Sequence, residues 1–290
     1  MKIIIPSLPI PILTYIAQCI ESVTDTNEDI ELLVWNINQK SILDMFDETQ
    51  PDIVFLHPSQ LNSSFNIICK DFSFKYVLIT GEDVSVSLPQ SPNAIINLSR
   101  SNTIDKQYKN VIYTQPMTNI PNIYNAQHSD RLQSTIVIDS SFATLNNDIM
   151  GLLTYVASAY PTKIIGQQPI PLHQYLGKVD MINRANLFKS AKIVIDIGTV
   201  GDCWDAAYLQ VPALSIYPSN STIFHCVNLA LLKLHIDSLL NNDLVRKKYI
   251  PETYKEACNN TSFHFSSNLF KTINEPRLAK ILLDTLETLI

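Results

Sequence analysis

Gly198, Thr199, Gly201 and Asp202 belong to a loop, Gly-Thr-Val-Gly-Asp, that joins an apolar run, Lys192–Ile197, to a short helix-like segment carrying Asp205 and Ala206. A glycine loop that opens a helix at the carboxyl end of a buried strand is where open α/β sheets bind ligands. Two glycines three residues apart are weak evidence for phosphate by themselves, since a tight turn uses the same residues. The chain has only six glycines in 290 residues, yet Gly166, Gly177, Gly198 and Gly201 lie close together, so glycine is kept where the backbone needs it. A helix-like run, Met181–Ser190, precedes the loop and a second apolar strand, Pro212–Tyr217, follows it.

Other residues with chemical capacity stand at strand ends. His57 closes the run Ile53–His57, and an imidazole there has a pKa suited to general-base work at neutral pH. The alternative is a histidine that caps the strand and bonds locally. Glu82, with Asp83, follows Gly81 after another strand and competes for the same role against a solvated turn. His173 lies in a Pro-Leu-His-Gln-Tyr loop, and either faces a ligand or is a surface histidine. Asp196 is a charge inside Ile195-Asp196-Ile197, which costs free energy unless it is paired, as by the backbone of the following loop. Trp204 either stacks on a base or belongs to the core.

Positioning these residues requires a sheet, and the apolar periodicity supplies two. Strands are predicted at Lys2–Ile5, Ile30–Trp35, Ile53–His57, Tyr76–Thr80, Ala94–Leu98 and Val111–Thr114, with helices at Ile10–Val23, Ser41–Glu48 and Leu61–Cys69 between them. This alternation is doubly wound α/β. The stretch Gln115–Arg131 is rich in Pro and Asn with no apolar period and reads as a crossover. A second alternation follows: strand Thr135–Asp139, helix Asn146–Ala159, strand Lys163–Ile165, helix Met181–Ser190, strand Lys192–Ile197, helix Cys203–Leu209 and strand Ala213–Tyr217. The remainder, His225–Ile290, reads as helical, with Pro276 in the first turn of the last helix. The expectation is two Rossmann-like α/β domains, residues 1–125 and 126–290, with terminal helices completing the second.

Composition narrows the partners. A formal charge of -6 and only one basic cluster, Arg246-Lys247-Lys248, leave no stripe to displace counterions from a nucleic acid or an anionic membrane. The five cysteines are scattered without metal-ligand spacing and read as reduced thiols of a cytoplasmic protein. The apolar N-terminus is broken by prolines and makes a poor signal peptide, and no run is long enough to span a bilayer. Self-association is left open.

The motifs Ala191-Lys192-Ile193-Val194-Ile195-Asp196, Gly198 to Asp202, Asp205-Ala206 and Val211-Pro212-Ala213-Leu214-Ser215, preceded by Tyr175-Leu176-Gly177-Lys178-Val179, form one ordered set. Together with Gln50-Pro51-Asp52-Ile53-Val54-Phe55-Leu56-His57 they resemble the GT-B class of nucleotide-sugar-dependent glycosyltransferases, especially the small group-1-type enzymes and the CgeB-like proteins. The resemblance covers about two thirds of the chain. It implies a GT-B-like pair of Rossmann-like domains facing a central cleft, and metal-independent sugar transfer from a nucleotide-diphosphate donor to an acceptor held by the first domain. The nucleotide sugar is then a substrate and no cofactor is needed. Backbone N–H groups of Gly198, Thr199, Gly201 and Asp202 would face the phosphates, Asp205 would accept hydrogen bonds from the ribose hydroxyls, and Gly166 and Gln167 would border the base, with His173 nearby. His57 and Glu82 would be the catalytic candidates.

The chain also departs from that pattern. Asp205 stands where the family usually has Glu, the first-strand loop is Pro6-Ser7-Leu8-Pro9 rather than glycine-rich, and positive charge for a departing diphosphate is limited to Lys163, Lys178 and Arg184. Two other readings therefore stand beside glycosyl transfer: a degenerate GT-B-like binding or scaffold protein, and a sugar-nucleotide epimerase of the same architecture.

Overall fold

The computed structural model describes residues 1–8, 10–24, 27–80, 90–98, 108, 110–113, 118, 135–141, 145–197, 202–216, 222–226 and 228–289, without the side chains of residues 11, 202 and 203. The chain divides into two compact units, Met1–Thr114 with Ser262–Ile290, and Gln115–Thr261.

In the first unit, β1 (Lys2–Pro6), β2 (Glu31–Trp35), β3 (Ile53–Leu56), β4 (Lys75–Thr80), β5 (Ala94–Asn97) and β6 (Val111–Tyr113) form one sheet in the order β2-β1-β3-β4-β5-β6. Every pairing in it is parallel. The uninterrupted apolar sequence of β3 fits a strand covered on both faces: all four of its side chains are fully buried. Their burial contributes roughly 1.5–3 kcal/mol each. Helices α1 (Pro11–Thr24), α2 (Ile42–Thr49) and α3 (Ser63–Asp71) make the crossovers. Ser41 caps α2, its hydroxyl accepting from Asp44 N at 3.2 Å, and Asn62 caps α3 in the same way through Ser64 N at 3.0 Å. Phe46 and Phe65 then meet Phe74 and Tyr76 edge-on, with centroids 4.6 Å (Phe46–Phe74) and 5.3 Å (Phe65–Tyr76) apart.

The second unit repeats the plan. Strands β7 (Ile136–Asp139), β8 (Thr162–Ile165), β9 (Ile193–Asp196), β10 (Ala213–Ser215) and β11 (Phe224–His225) form a parallel sheet in the order β11-β10-β9-β7-β8. It carries α4 (Asn147–Ala159), α5 (Met181–Ser190), α6 (Asp202–Tyr208), α7 (Leu229–Asn241) and α8 (Asp243–Asn259). Alternate residues serve opposite faces. Ile136, Ile138, Ile193 and Ile195 pack with Leu153, Val156, Leu232 and Ile236, whereas Val137 and Val194 pack with Phe188, Trp204 and Ala206. Trp204 is thus a core residue, 5% exposed. In both sheets the second strand lies to one side of the first and later strands to the other, so the order reverses between β1 and β3 and between β7 and β9.

Two features depart from the expectation. β11 is a short, unexpected edge strand whose second residue, His225, is the first of the stretch read as helical; it is paired at Ser215↔His225. The terminal helices α9 (Ser262–Thr272) and α10 (Pro276–Leu289) complete the first unit, not the second, by packing on α1. Periodicity marks Leu278, Leu282 and Leu286 as one apolar face of α10 but does not say which surface that face covers. The unit boundary accordingly falls at Thr114/Gln115 and again at Thr261/Ser262, where one boundary after residue 125 was expected.

Among the described residues no helix is long and apolar enough to cross a membrane. Cys19, Cys69, Cys226 and Cys258 stand outside any disulfide, and burial pushes the Cys226 thiol up to about 12.

Two histidines tie stability to pH. His235 stacks on Phe224 with centroids 4.3 Å apart, and burial lowers its pKa; burial, and then the charge of Lys271, lower that of His264. Each group is held neutral in the folded state, so the unfolded chain takes up protons first as pH falls through about 6.5. Stability is therefore present above that pH and lost below it. Melting midpoints measured from pH 7.5 to 5.0 are expected to fall, and His235→Gln with His264→Gln to flatten the decline; an unchanged slope in the double variant would contradict this.

Candidate functional site

The reversal between β7 and β9 places the carboxyl ends of these strands side by side, with Asp139 opposite Asp196. Ligands of open α/β sheets bind outside such a reversal. The loop that follows β9 is the glycine loop, and Gly198, Thr199 and Gly201 lie outside the described residues, as does Glu82. Asp202 begins α6.

Arg184 gathers this edge together. It sits in the first turn of α5, which Asp180 caps by accepting from Asn183 N at 2.8 Å; that backbone N–H, with the Asn183 side-chain amide, holds the Asp180 carboxyl below its ordinary value. From there its guanidinium spans two carboxylates, with Nε 2.5 Å from Asp139 Oδ2 and Nη1 2.6 Å from Asp205 Oδ2. It also lies 4.6 Å above the ring of Phe188, one turn further along α5. Asp139 is fully buried and its other oxygen accepts from Ser141 N at 2.8 Å. Asp205 is 3% exposed, and its Oδ1 accepts from Thr118 Oγ1 at 2.7 Å. Asp196 is likewise buried, its backbone carbonyl accepting from Ile216 N at 3.2 Å. The charge of Arg184, expected from sequence to be able to face a diphosphate, is directed at two internal carboxylates; Lys163 is half-buried on β8 and Lys178 is exposed.

The spacing from Asp205-Ala206 to Pro212 has a local cause. α6 closes with Gln210 in the left-handed conformation (φ 57°), Gln210 N donating to Ala207 O and Val211 N to Ala206 O, and Pro212 cannot continue the helix. The chain is thereby turned straight into β10, and Asp205 is fixed one turn inside it.

Gly166 follows β8 and is buried. A Cβ there would lie 2.0 Å from Ser140 Oγ, and Ser140 is held by donating to Ile165 O at 2.7 Å. Gly166 N donates to Gly177 O at 3.2 Å and Tyr175 OH donates to Gly166 O at 2.8 Å, so the loop returns alongside β8. Gly177 makes that return possible with φ 85°. Gln167 and His173 are exposed on this loop.

His57 belongs to the other unit. β3 ends at Leu56, and His57 caps the one-turn 3-10 helix Pro58–Gln60: its Nδ1 accepts from Ser59 N at 3.3 Å, while its own N–H donates to Gln60 Oε1 at 2.8 Å. An accepting Nδ1 places the ring proton on Nε2, which is then a donor. Among the described residues no group of three or more His, Cys, Asp or Glu is placed to hold a metal ion.

Thr118, Asp139 and Arg184 are the members of this site that sequence reasoning missed or misassigned: Asp139 entered only as the end of a strand. Thr118 lies in the unpatterned crossover, and no local signal marks it. Arg184 pairs with one acid from a distant strand and one from the next helix, so nothing local in the sequence marks both partners.

No family model matches the sequence and no curated protein is similar to it. Solved structures do match in fold. Anabaena HepE, solved in complex with UDP and glucose, superposes with a TM-score of 0.60 at 13% identity over 94% of this chain and 99% of its own. A Listeria monocytogenes protein assigned as a UDP-N-acetylglucosamine 2-epimerase gives 0.59 at 12% identity, over 94% of this chain and 96% of that one. S. aureus MnaA, solved with UDP, gives 0.58 at 10% identity over 94% and 96%. With its two parallel sheets, surrounding helices and helical C-terminus, the chain has a GT-B glycosyltransferase-like fold.

Proposed function

We propose that the second unit binds a nucleotide-diphosphate sugar at the carboxyl edge of its sheet and that the protein transfers the sugar to an acceptor without a bound metal. The observation that carries this reading is the reversal between β7 and β9, with the glycine loop leaving β9 at that point. The likeness to HepE and MnaA, both solved with UDP, supports UDP as the first nucleotide to test. In this reading the loop from Gly198 to Asp202 takes the phosphates, with Lys163 and Lys178 as the candidate cations once Arg184 is engaged by Asp139 and Asp205. The base lies along Gly166 and Gln167, beside His173. Asp205, which accepts from Thr118 and Arg184, is the carboxylate that would receive the ribose hydroxyls. His57, with its Nδ1 accepting from Ser59 N and its ring proton on Nε2, orients an acceptor hydroxyl by donating to it.

Binding is read from thermal melting with UDP, GDP, ADP and CDP, each at about 1 mM. A dissociation constant of about 10 µM gives about 2.7 kcal/mol of stabilisation, a rise of several degrees. Asp205→Ala is expected to abolish most of that rise. If none of the four raises the midpoint, the donor site does not exist. The likeness to the 2-epimerase folds favours epimerisation as the second reading. NMR of UDP-N-acetylglucosamine incubated with the protein separates them: slow release of UDP with the unchanged sugar passed to water supports the first, and a new sugar epimer still joined to UDP supports the second.

A further inference from the structure

The chain enters the second unit at Gln115 and leaves it at Thr261. These two crossings are bound to each other. Thr118 N donates to Asn260 O at 2.8 Å, and Thr118 and Thr261 form a parallel bridge outside any named strand. Thr118 and Thr261 are 0% and 1% exposed, so both crossings are buried where they touch. The Thr118 hydroxyl in turn donates to Asp205 Oδ1 at 2.7 Å, and Asp205 is held through Arg184 to Asp139 at the end of β7. A continuous chain of polar contacts therefore runs from the crossings, through Thr118, into the carboxylate at the strand reversal.

We propose that Thr118 is a positioning residue for Asp205, and that a nucleotide held at Asp205 is felt at both crossings. The inference rests on the reading that Asp205 belongs to a donor site. Its physical basis is geometric. The bond from the Thr118 hydroxyl is one of the directional bonds that set the plane of the Asp205 carboxylate, and removing it lets the carboxylate turn toward Arg184. Arg184 then draws Asp205 away from the acceptor positions that the ribose would use. In the other direction, a ligand that orders Asp205 also orders the Thr118 side chain bonded to it, and with it the backbone that carries the Thr118 N to Asn260 O bond.

The test uses the full chain, with UDP as the probe. Thr118→Val keeps the shape and removes the hydroxyl; Thr118→Ser keeps the hydroxyl. UDP affinity is expected to weaken about tenfold in Thr118→Val, the size of a lost hydrogen bond to a charged group, and to return in Thr118→Ser. Amide hydrogen exchange supplies the readout that a merely structural role would not move. In the wild-type protein, UDP should slow exchange at the Thr118 amide, which donates to Asn260 O across the two crossings, and this slowing should be lost in Thr118→Val. Should Thr118→Val fail to fold, exchange in the wild-type protein with and without UDP still decides. If UDP binds the wild type but leaves exchange at the Thr118 amide unchanged, or binds Thr118→Val equally well, the inference is overturned while the donor site stands. If the wild type binds no nucleotide, the donor reading falls and the inference with it.

Discussion

Arg184→Met is expected to lower the melting midpoint of the second unit by about 10 °C. The side chain is nine-tenths buried and is bonded to Asp139 at 2.5 Å and to Asp205 at 2.6 Å. Both carboxylates are themselves buried. Removing the shared cation leaves two uncompensated charges in the interior, and breaking a buried pair from one side costs about 3–5 kcal/mol. For a unit of this size each kcal/mol moves the midpoint by about 2–4 °C. Arg184→Lys should recover only part of the loss, since an ammonium is a single point and not a fork that reaches both acids. Neutralising the acids as well, in Arg184→Met with Asp139→Asn and Asp205→Asn, should recover more than Lys does, because no unpaired charge remains. A midpoint for Arg184→Met within about 2 °C of wild type would show that this cation is not what keeps the two acids buried.

The second large effect is expected at Gly166. Gly166→Ala should cost about 1–3 kcal/mol, the range for an inserted methyl in a packed interior. The new Cβ meets Ser140 Oγ at 2.0 Å and the Ser140 backbone carbon at 3.2 Å. Rotation of the Ser140 hydroxyl would relieve the first contact but break its bond to Ile165 O, and it would leave the backbone contact untouched. Ser140→Gly in the same chain removes the obstructing side chain, so the double variant should be more stable than Gly166→Ala alone. Chemical denaturation of the four proteins in the cycle measures the coupling directly. Equal destabilisation of Gly166→Ala with and without Ser140 would show that the cost has another source.

These two positions also show what a sequence discloses. Gly166 could be singled out because glycine is so scarce, and its need for space is a property of one residue. Arg184 could not be assigned in the same way, because its partners are set by tertiary placement: Asp139 comes from a strand forty-five residues earlier and Asp205 from the next helix. The strands themselves were legible. Ile53–Leu56 and Ile193–Asp196 are short apolar runs bounded by polar or breaking residues, and the helix Met181–Ser190 carries its own start signal in Asp180. The 3-10 turn at Pro58–Gln60 was signalled by a proline directly after His57, a residue placed in the strand by its apolar neighbours. β11 has two residues, too few for a period of two to register. The crossover at Thr118 carries no period at all, although it reaches Asp205.

The helices that close the first unit come from the far end of the chain, and this bears on the order in which a ribosome delivers the fold. Gln115–Thr261 emerges as one uninterrupted piece, whereas Met1–Thr114 must wait for Ser262–Ile290. At about 5–20 residues per second the wait is on the order of ten seconds or more. Throughout it the apolar side chains of α1 that α9 and α10 will cover, on a helix containing Ile12, Leu13, Ile16 and Ile20, have no native cover on that side. The unit made first is thus finished last, and during synthesis it is the nascent N-terminal half that most needs shielding from aggregation.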